Sequence, residues 1–348
     1  MKPILLIPIY EPTKKTVLFI NELIREISSE LVIVDDGSGG AYRMVFDQMR
    51  HPRIHFISYP YNKGKGHALK TGLRYIFDSF PEAVGIVTAD GDGQHSIADI
   101  QRLLKEVPQL RPREILLGVR NFSYKETPFR SFFSNRLTSG FYFLASGIRL
   151  QDTQTGLRGF SFASIPDLVR ISGERFEYEI NQLLELPMEN YQIKTLSIET
   201  IYEDKNKQSH FRPLQDSFLV YQPLLRFLFS SVTSSFVDLS LFYGLVLLFG
   251  SENPQTLLVA TLIARLLSGL YNYRINRQFV FQKQKDTHSF FKYGILFTAQ
   301  LFFSWLGVST LSIFIGSILF CKLIVDITLF FASFAIQRRL VFKGGERE

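Results

Sequence analysis

The hydrophobic and polar positions divide the chain of 348 residues into two parts with different patterns. Up to about residue 220, short apolar runs alternate with amphipathic stretches. The runs are KPILLIPIY, ELVIVDD, RIHFISY, AVGIVTAD and EILLGV, and the stretches between them span 14–28, 40–49, 64–79 and 96–107. Continuous apolar runs of this length, separated by helical patterns, indicate buried parallel strands covered by helices. The first part is therefore predicted to be an α/β domain with a mainly parallel sheet.

The second part contains four apolar stretches, at about 225–250, 256–279, 291–314 and 317–337. Each is long enough to cross a bilayer, which takes roughly 20 apolar residues in a helix. Buried helices of a soluble bundle are the alternative, but four such stretches in succession exceed what a soluble core normally holds. The predicted organisation is an α/β domain at 1–212, a linker helix at 213–224 and a four-helix membrane domain at 225–348.

Lysine and arginine in the loops predict the orientation of these helices. The loops at 251–256 and 315–317 carry neither residue. The basic residues after the second and fourth stretches are Arg274, Arg277, Lys283, Lys285, Lys292, Arg338, Arg339, Lys343 and Arg347. Because basic loops stay in the cytoplasm, we expect a multi-pass protein of the cell membrane with its catalytic domain and both termini on the cytoplasmic side.

The net charge of +7 would suggest nucleic-acid binding, but much of it flanks the apolar stretches, so we expect no nucleic-acid partner. The single cysteine, Cys321, excludes an internal disulfide.

Charged residues also lie within or near the spans, and Asp238, Arg265 and Asp326 are the hardest to explain by snorkelling toward the interface. Two similar segments, YRINRQFVF at 273–281 and FAIQRRLVF at 334–342, indicate an internal repeat of helix pairs.

Polar side chains follow three of the predicted strands. Tyr10 and Glu11 follow the first, Asp35 and Asp36 the second, and VTADGDGQH ends the fourth. In parallel sheets, ligands bind at the carboxyl ends of the strands. The two aspartates of VTADGDGQH form either a surface turn or a pair of hard oxygen ligands for a divalent metal.

The segment NKGKGHAL is the start of a predicted helix. It is either an ordinary helix start with solvated lysines or an anion site. The chain has no GxxxxGK[ST] loop and no GxGxxG after its first strand, so a P-loop or dinucleotide-binding protein is disfavoured. A nucleotide diphosphate linked to a transferable group remains the best candidate ligand.

Taken in order, IPIYEP, VDDGS, NKGKGHAL, TADGDGQH, FRSFFSNRL and DTQTGLRGF resemble the family 2 glycosyltransferases of the GT-A fold, of the type that acts on polyprenyl phosphates. The membrane part resembles the GtrA-like four-helix family. The resemblance implies an α/β GT-A domain followed by an all-α membrane domain. It also implies an inverting transfer of sugar from a nucleotide-diphospho-sugar to a polyprenyl phosphate, supported by Mg²⁺ or Mn²⁺.

The resemblance also implies roles for individual residues. The donor would be held by Pro8, Tyr10, Glu11, Asp36, Lys65 and Asp90, and the metal by Asp90, Asp92 and Gln94. The catalytic residues would be Asp92, Arg120, Arg130, Asp152 and Arg158. The acceptor phosphate would meet Arg130, Ser134 and Arg158, with Lys207, His210 and Arg212 in place of a family element that this chain lacks. His95 is expected only to begin the next helix.

The sequence favours a UDP-sugar and undecaprenyl phosphate, with GDP-mannose also compatible, and a lipid-linked monosaccharide for cell-envelope glycosylation as product. The membrane domain is either a flippase for that product or an anchor, through which a homo-oligomer could form. The helix at 129–146 mixes aromatic residues with arginines. It is expected to lie in the lipid headgroup layer or, alternatively, to pack against the sheet.

Overall fold

The computed structural model describes residues 2–120, 129–200, 213–250, 254–281, 287–315 and 317–342. The chain divides into two compact units. The first comprises residues 1–143 and 147–220, and the second comprises residues 144–146 and 221–348.

The first unit is built on one seven-stranded sheet. Its strands are β1 (Ile4–Ile9), β2 (Leu31–Asp35), β3 (Ile54–Ser58), β4 (Gly85–Thr88), β5 (Glu114–Arg120), β6 (Arg158–Ser161) and β7 (Gln192–Ile198). They lie in the order β3-β2-β1-β4-β6-β5-β7. Only β6 runs antiparallel to its neighbours β4 and β5; the other pairs are parallel. The mainly parallel α/β fold expected from the sequence is confirmed.

Helices cover both faces of this sheet. They are α1 (Lys14–Glu26), α2 (Arg43–Asp47), α3 (Lys65–Ser79), α4 (Ile97–Glu106), α5 (Phe129–Ser146), α6 (Ile165–Arg170) and α7 (Glu177–Glu185). One apolar core forms between the sheet, α1 and α4, and the other between the sheet, α3 and α6. The helix starts follow from local sequence: Thr13 closes a capping box on α1, and Ser96 caps α4.

Helix α5 has a packed face and an exposed face. Phe141 and Tyr142 are buried, and the Tyr142 hydroxyl donates to the carbonyl of Leu183 at 3.1 Å. Phe133, Leu137 and Phe143 are exposed on the other side. The packing alternative therefore holds for one face only, while the other offers apolar side chains to its surroundings.

The second unit contains four long apolar helices. They are α8 (Pro213–Phe249), α9 (Pro254–Ile275), α10 (Thr287–Leu311) and α11 (Ile318–Ile336). Within them, the stretches long and apolar enough to cross a membrane are Tyr221–Phe249, Gln255–Val280, His288–Leu311 and Phe320–Val341. The four predicted spans are confirmed. The segment predicted as a separate linker helix is continuous with the first span, because no helix break falls between residues 213 and 249.

The charged residues singled out in the spans, Asp238, Arg265 and Asp326, each lie in an ion pair. Arg265 lies 3.6 Å from Asp238, which also accepts a hydrogen bond from Ser268 at 2.9 Å. Lys322 pairs with Asp326 one turn along α11. Pairing lowers the cost of placing charge in hydrocarbon, so these residues have a structural explanation that does not require transport.

The internal repeat is visible as a local two-fold relation. Both repeat segments end in a π-helical turn, Asn276–Val280 after α9 and Gln337–Val341 after α11. The equivalent residues Asn276 and Gln337 contact each other, with the Asn276 amide donating to Oε1 of Gln337 at 2.9 Å. The equivalent rings of Phe281 and Phe342 stack with centroids 5.0 Å apart. The two helix pairs therefore meet at matching positions of the repeat.

Candidate active site

The strand order brings the predicted polar residues to one edge of the sheet. Strands β2, β1 and β4 are neighbours and parallel, so Asp36, Glu11 and Asp90, which follow them, lie at the same end. The antiparallel β6 begins at that end, where Arg158 pairs with Thr88. The predicted shared edge is therefore present.

A partly buried lysine lies at the centre of this edge. The Nζ atom of Lys65, the first residue of α3, is 2.6 Å from Oδ1 of Asp90 and 2.8 Å from Oε2 of Glu179. Burial lowers the pKa of Lys65, but the two carboxylates outweigh it and hold the pKa above its ordinary value. Lys65 is therefore a fixed positive charge at the metal motif.

The pKa values of the two aspartates of VTADGDGQH are shifted in opposite directions. Burial raises the pKa of Asp90, but Lys65 and His95 outweigh it and hold the pKa well below its usual range. Burial and the charge of Asp90 raise the pKa of Asp92. The backbone N–H of Gln94 donates to Oδ1 of Asp92 at 3.0 Å, which fixes the carboxylate in the turn.

Two neighbours enclose the Asp90 carboxylate. A Cβ on Gly156 would lie 2.5 Å from Oδ2 of Asp90, so only glycine allows this approach. His95 is buried, and its Nε2 lies 3.4 Å from Oδ2 of Asp90. The expectation that His95 only begins a helix was wrong: Ser96 caps the helix, and the imidazole lies against the site.

Asp36 organises the loop before α3. Its carboxylate accepts from the Tyr59 hydroxyl at 2.6 Å, the Asn62 amide at 3.0 Å and the Lys63 and Gly64 N–H groups. Burial and this hydrogen bond raise the pKa of Tyr59. The predicted contact of Asp36 with base and ribose stays a prediction, but the carboxylate is already engaged with the protein.

The helix start that follows this loop, for which an ordinary start and an anion site were both considered, has several of its N–H groups already bonded to the protein. The N–H groups of Lys63 and Gly64 donate to Asp36, and the N–H of His67 donates to the carbonyl of Glu174 at 2.9 Å. A Cβ on Gly64 would lie 2.5 Å from that carbonyl, so the segment at Glu174 packs directly on the helix start. The side chain of Lys65, and not this set of N–H groups, is what α3 offers to a phosphate.

Tyr10 and Glu11 directly follow β1, the strand that contains Pro8, and so lie at the same edge of the sheet. Glu11 has a φ of 50°, which is unusual for a residue other than glycine, and its N–H donates to the Ser38 hydroxyl at 2.8 Å. A hydrogen bond to Glu11 and burial raise the pKa of the Tyr10 hydroxyl. Backbone strain of this kind is often concentrated at ligand sites, which agrees with the predicted donor role.

Arg120 and Asp152 form a bidentate pair. Nε of Arg120 lies 2.7 Å from Oδ2 of Asp152, and Nη2 lies 3.2 Å from Oδ1. Asp152 is fully buried and also accepts from the N–H of Gln154 at 3.0 Å. Such a pair fixes the plane of the guanidinium. Asp152 therefore positions Arg120.

Arg158 is in a different environment from the one predicted. Its side chain is 1% exposed, and Nη1 donates to the carbonyl of Glu179 at 2.6 Å and to Gln182 at 2.7 Å. Nη2 has no hydrogen-bond partner. Burial lowers the pKa of the guanidinium, and nearby carboxylates oppose that effect. In this conformation Arg158 is buried and donates to α7, and its predicted contact with an acceptor phosphate stays a prediction.

The remaining predicted acceptor residues are only partly placed. Arg130 and Ser134 belong to α5, whose backbone is described there. Lys207, His210 and Arg212 lie outside the described residues. Their roles stay predictions.

Comparison with known families agrees with the two-part organisation. Residues 5–168 match the model of glycosyl transferase family 2, and residues 226–342 match that of the GtrA/DPMS transmembrane domain. The chain joins a family 2 glycosyltransferase domain to a GtrA/DPMS transmembrane domain. It is a membrane protein and a glycosyltransferase.

Two relatives of this chain are named as enzymes that transfer a sugar to dolichyl phosphate. The chain is 26% identical over 218 residues to the UDP-N-acetylglucosamine–dolichyl-phosphate N-acetylglucosaminyltransferase of Methanococcus voltae, a match covering 58% of this chain and 86% of the relative. It is 34% identical over 146 residues to the human dolichyl-phosphate beta-glucosyltransferase, covering 38% and 43%. Among solved structures, a 4-diphosphocytidyl-2C-methyl-D-erythritol synthase is 14% identical to this chain with a TM-score of 0.36. The alignment covers 63% of this chain and 97% of the synthase chain.

The glycosyltransferase domain has donors that fit a divalent cation. Among the described residues no group of three or more His, Cys, Asp or Glu side chains is arranged for a metal. Asp90 and Asp92 stand one residue apart in the turn after β4, and burial, together with the charge of Asp90, raises the pKa of Asp92. Two hard oxygen donors beside a lysine suit a cation that shares its ligands with a diphosphate better than a cage made of protein alone.

Sequence reasoning missed two residues of the glycosyltransferase site. Glu179, in the segment FEYEI, contacts Lys65, and His95 contacts Asp90. The position of His95 in the metal motif was a signal that was read as a helix start. Glu179 is separated from Lys65 by 114 positions, and nothing in the local pattern of α7 distinguishes it from a surface glutamate.

Proposed function

We propose that this glycosyltransferase moves a sugar from a nucleotide-diphospho-sugar to the phosphate of a polyprenyl phosphate in the membrane. The observation that carries the proposal is the cluster of Lys65, Asp90 and Asp92 at the carboxyl edge of the sheet, in a chain that also has four membrane-spanning helices. The names of the relatives, which act on dolichyl phosphate, support the acceptor class.

The acceptor chemistry requires little from the protein in the way of a base. A phosphate monoester loses its second proton near pH 6, so it is largely a dianion at neutral pH. One of its oxygens attacks the anomeric carbon of the donor sugar while the bond from that carbon to the diphosphate breaks. The electron pair of that bond leaves with the nucleoside diphosphate. In-line attack inverts the configuration at the anomeric carbon.

Positive charge is what the reaction needs, because two phosphates must approach each other. Lys65 lies where it can meet the diphosphate of the donor. Arg120, fixed by Asp152, offers a planar guanidinium to a phosphate. Arg130 on α5 is the proposed contact to the acceptor.

A divalent cation, Mg²⁺ or Mn²⁺, is proposed to be held by Asp92 and Asp90 with Gln94. When bound, it supplies Lewis-acid stabilisation of the leaving diphosphate. Asp90 contributes only part of its carboxylate, since Lys65 contacts Oδ1.

The finer identity of the substrates is proposed from what the sequence resemblance favours. We propose a UDP-sugar as donor and undecaprenyl phosphate as acceptor, with the product serving cell-envelope glycosylation. The distribution of basic residues supports a cytoplasmic catalytic domain. The exposed Phe133, Leu137 and Phe143 of α5 support contact of this helix with the headgroup layer.

The proposal is tested with the full-length protein purified in detergent. UDP-glucose, UDP-N-acetylglucosamine and GDP-mannose are offered separately with undecaprenyl phosphate and Mn²⁺, and lipid products are identified by mass spectrometry. We expect one donor to give a lipid-linked monosaccharide. Absence of product from the whole panel, or growth of a polymer, would contradict the proposal.

A further inference from the structure

Glu179 contacts two cations of the site, the partly buried Lys65 and the fully buried Arg158, through different atoms. Its Oε2 lies 2.8 Å from Nζ of Lys65, while its backbone carbonyl accepts from Nη1 of Arg158 at 2.6 Å. Glu179 is 8% exposed, and it stands on α7, which is not part of the strand edge that carries the metal motif. Its carboxylate faces the site without belonging to any of the predicted motifs.

Lys65 and a divalent cation would compete for Asp90. The ammonium is 2.6 Å from Oδ1 of Asp90, within ordinary contact distance for an ion pair. A cation that takes Asp90 as a ligand must share or displace this contact. The energy of moving the ammonium away depends on whether another carboxylate remains to hold it, because an unpaired buried charge is strongly unfavourable.

The net charge of the site also indicates that Glu179 favours the binding of a divalent cation. Lys65, Asp90, Asp92 and Glu179 carry one positive and three negative charges when ionised, so they hold a net charge of −2. Without Glu179 the net charge is −1, and Asp90 is the carboxylate partner that remains to the ammonium among the described residues. Both effects oppose the binding of a divalent cation.

We propose that Glu179 is a positioning residue that holds Lys65 when a divalent cation binds at Asp90. In the donor-free protein Lys65 bridges both carboxylates. When the cation binds, Lys65 stays paired with Glu179, remains charged and keeps its place next to the donor diphosphate. This inference rests on the proposed function, since it assigns Glu179 a part in binding the metal of that reaction.

The test measures Mn²⁺ binding to the full-length protein in detergent with UDP present as the source of diphosphate ligands, from the loss of the electron paramagnetic resonance signal of Mn²⁺ relative to UDP without protein. Glu179→Gln keeps the shape of the side chain and the backbone contact to Arg158. We expect it to weaken Mn²⁺ binding about tenfold, the effect of losing one nearby charge in a partly screened site. Lys65→Gln removes the competing cation and is expected to tighten binding.

The double variant Lys65→Gln/Glu179→Gln separates charge from folding. It restores the net charge of −2, so its Mn²⁺ affinity is expected to return close to that of the wild type. The matched control is Glu174→Gln. Glu174 pairs with His67 and Lys70 on the same helix α3, but not with Lys65, so its loss is expected to leave Mn²⁺ binding unchanged.

Three results would overturn the inference: unchanged Mn²⁺ binding in Glu179→Gln, an equal loss of binding in the double variant, or no Mn²⁺ binding to the wild type. The donor panel described above reports on transfer independently. A protein that makes the lipid product but shows one of these three results would retain the proposed function and lose the role of Glu179.

Discussion

At the scale of single residues, one buried carboxylate holds a whole loop in place. Asp36 accepts hydrogen bonds from two side chains and two backbone N–H groups of the segment 59–64. Gly37 fits beneath the same segment: a Cβ there would lie 2.2 Å from the carbonyl carbon of Tyr61. The local motif VDDGS is thus explained first by packing, whatever its contact with a donor.

Replacing Asp36 by Asn should therefore destabilise the domain. An amide would point an N–H at donors that now meet an oxygen, and leaving buried donors unsatisfied costs about 1–3 kcal/mol. We expect the Tm of the full-length protein to fall by about 5 °C. Asp35→Asn is the control, since Asp35 accepts from the Ser38 N–H at 2.9 Å at the loop start, and it should have a smaller effect. Equal Tm values for the two variants would contradict this account.

Gly156 is predicted to matter for catalysis more than for folding. The Cβ of Gly156→Ala would lie 2.5 Å from Oδ2 of Asp90 and would displace that carboxylate. A displacement of about 1 Å at a reacting centre can reduce the rate about 100-fold, so we expect kcat to fall by that order in a donor assay. Gly140→Ala, on the exposed side of α5 with no atom within 4 Å, should retain full activity. Full activity of Gly156→Ala would show that the site tolerates the shift.

The ion pairs of Glu174 predict a pH dependence of stability. Burial raises the pKa of Glu174, but hydrogen bonds from Lys70 and His67 outweigh it and lower the pKa below its ordinary 4.5. A lowered pKa contributes stability above the unfolded value, and this contribution is lost as the pH falls through the folded value. The Tm difference between wild type and Glu174→Gln should thus be larger at about pH 6.5 than at about pH 4. A difference that grows toward acid pH would reverse the sign and refute the pairing.

Sequence reasoning found those site residues that stand in local motifs. Lys65, Asp90 and Asp92 follow from strand ends and helix starts, since the geometry of parallel sheets brings such positions together. Glu179 could not be found this way, because its contact with Lys65 depends on the packing of α7 across the sheet. Burial of Arg158 was missed for the same reason, since a motif gives the order of residues but not their depth.

At the scale of elements, the hydrophobic pattern was sufficient for the first five strands, for helices α1 to α4 and for the four membrane spans, whereas α6, α7 and β7 were not predicted. The strand β6 was not foreseen from its residues, because Arg158–Ser161 is only four residues long; it runs antiparallel to β4. The continuous helix α8 was predicted as two elements because Pro223 and polar residues interrupt the apolar pattern before the span. The full length of α8 and the pairing of β6 depend on tertiary packing, which a single sequence does not show.

The contact between Asn276 and Gln337 predicts coupling between the two helix pairs. Asn276→Leu leaves the buried amide of Gln337 without this partner, which should lower the Tm of the membrane domain. Asn276→Leu/Gln337→Leu should lose less than the sum of the single variants, as contacting residues do in a double-mutant cycle. Trp305 in α10, the only tryptophan of the chain, gives a fluorescence signal from this domain.

Gln278→Leu is the control for that experiment. Gln278 lies in the same π-helical turn but is exposed, so its replacement should leave the Tm almost unchanged. Strict additivity of the Asn276 and Gln337 variants would show that the two repeats are not coupled at this contact.

At the scale of the whole molecule, composition alone divided the chain into a catalytic part and a membrane part. The family matches at 5–168 and 226–342 agree with that division. Hydropathy suffices for the spans because the backbone of a membrane helix must satisfy its own hydrogen bonds. The chemistry of the catalytic part depends instead on charges that meet from distant segments, as in the cluster of Lys65, Asp90 and Glu179.

The central claim is transfer of a sugar to a lipid phosphate at a site that depends on Asp92. The most direct measurement compares wild type and Asp92→Asn, each with a radiolabelled nucleotide sugar, Mn²⁺ and either undecaprenyl phosphate or undecaprenol. We predict that label enters the lipid fraction only with wild type and the phosphate, and that Asp92→Asn reduces this rate by at least about 100-fold. Equal labelling of the two lipids, or a fully active Asp92→Asn, would contradict the account.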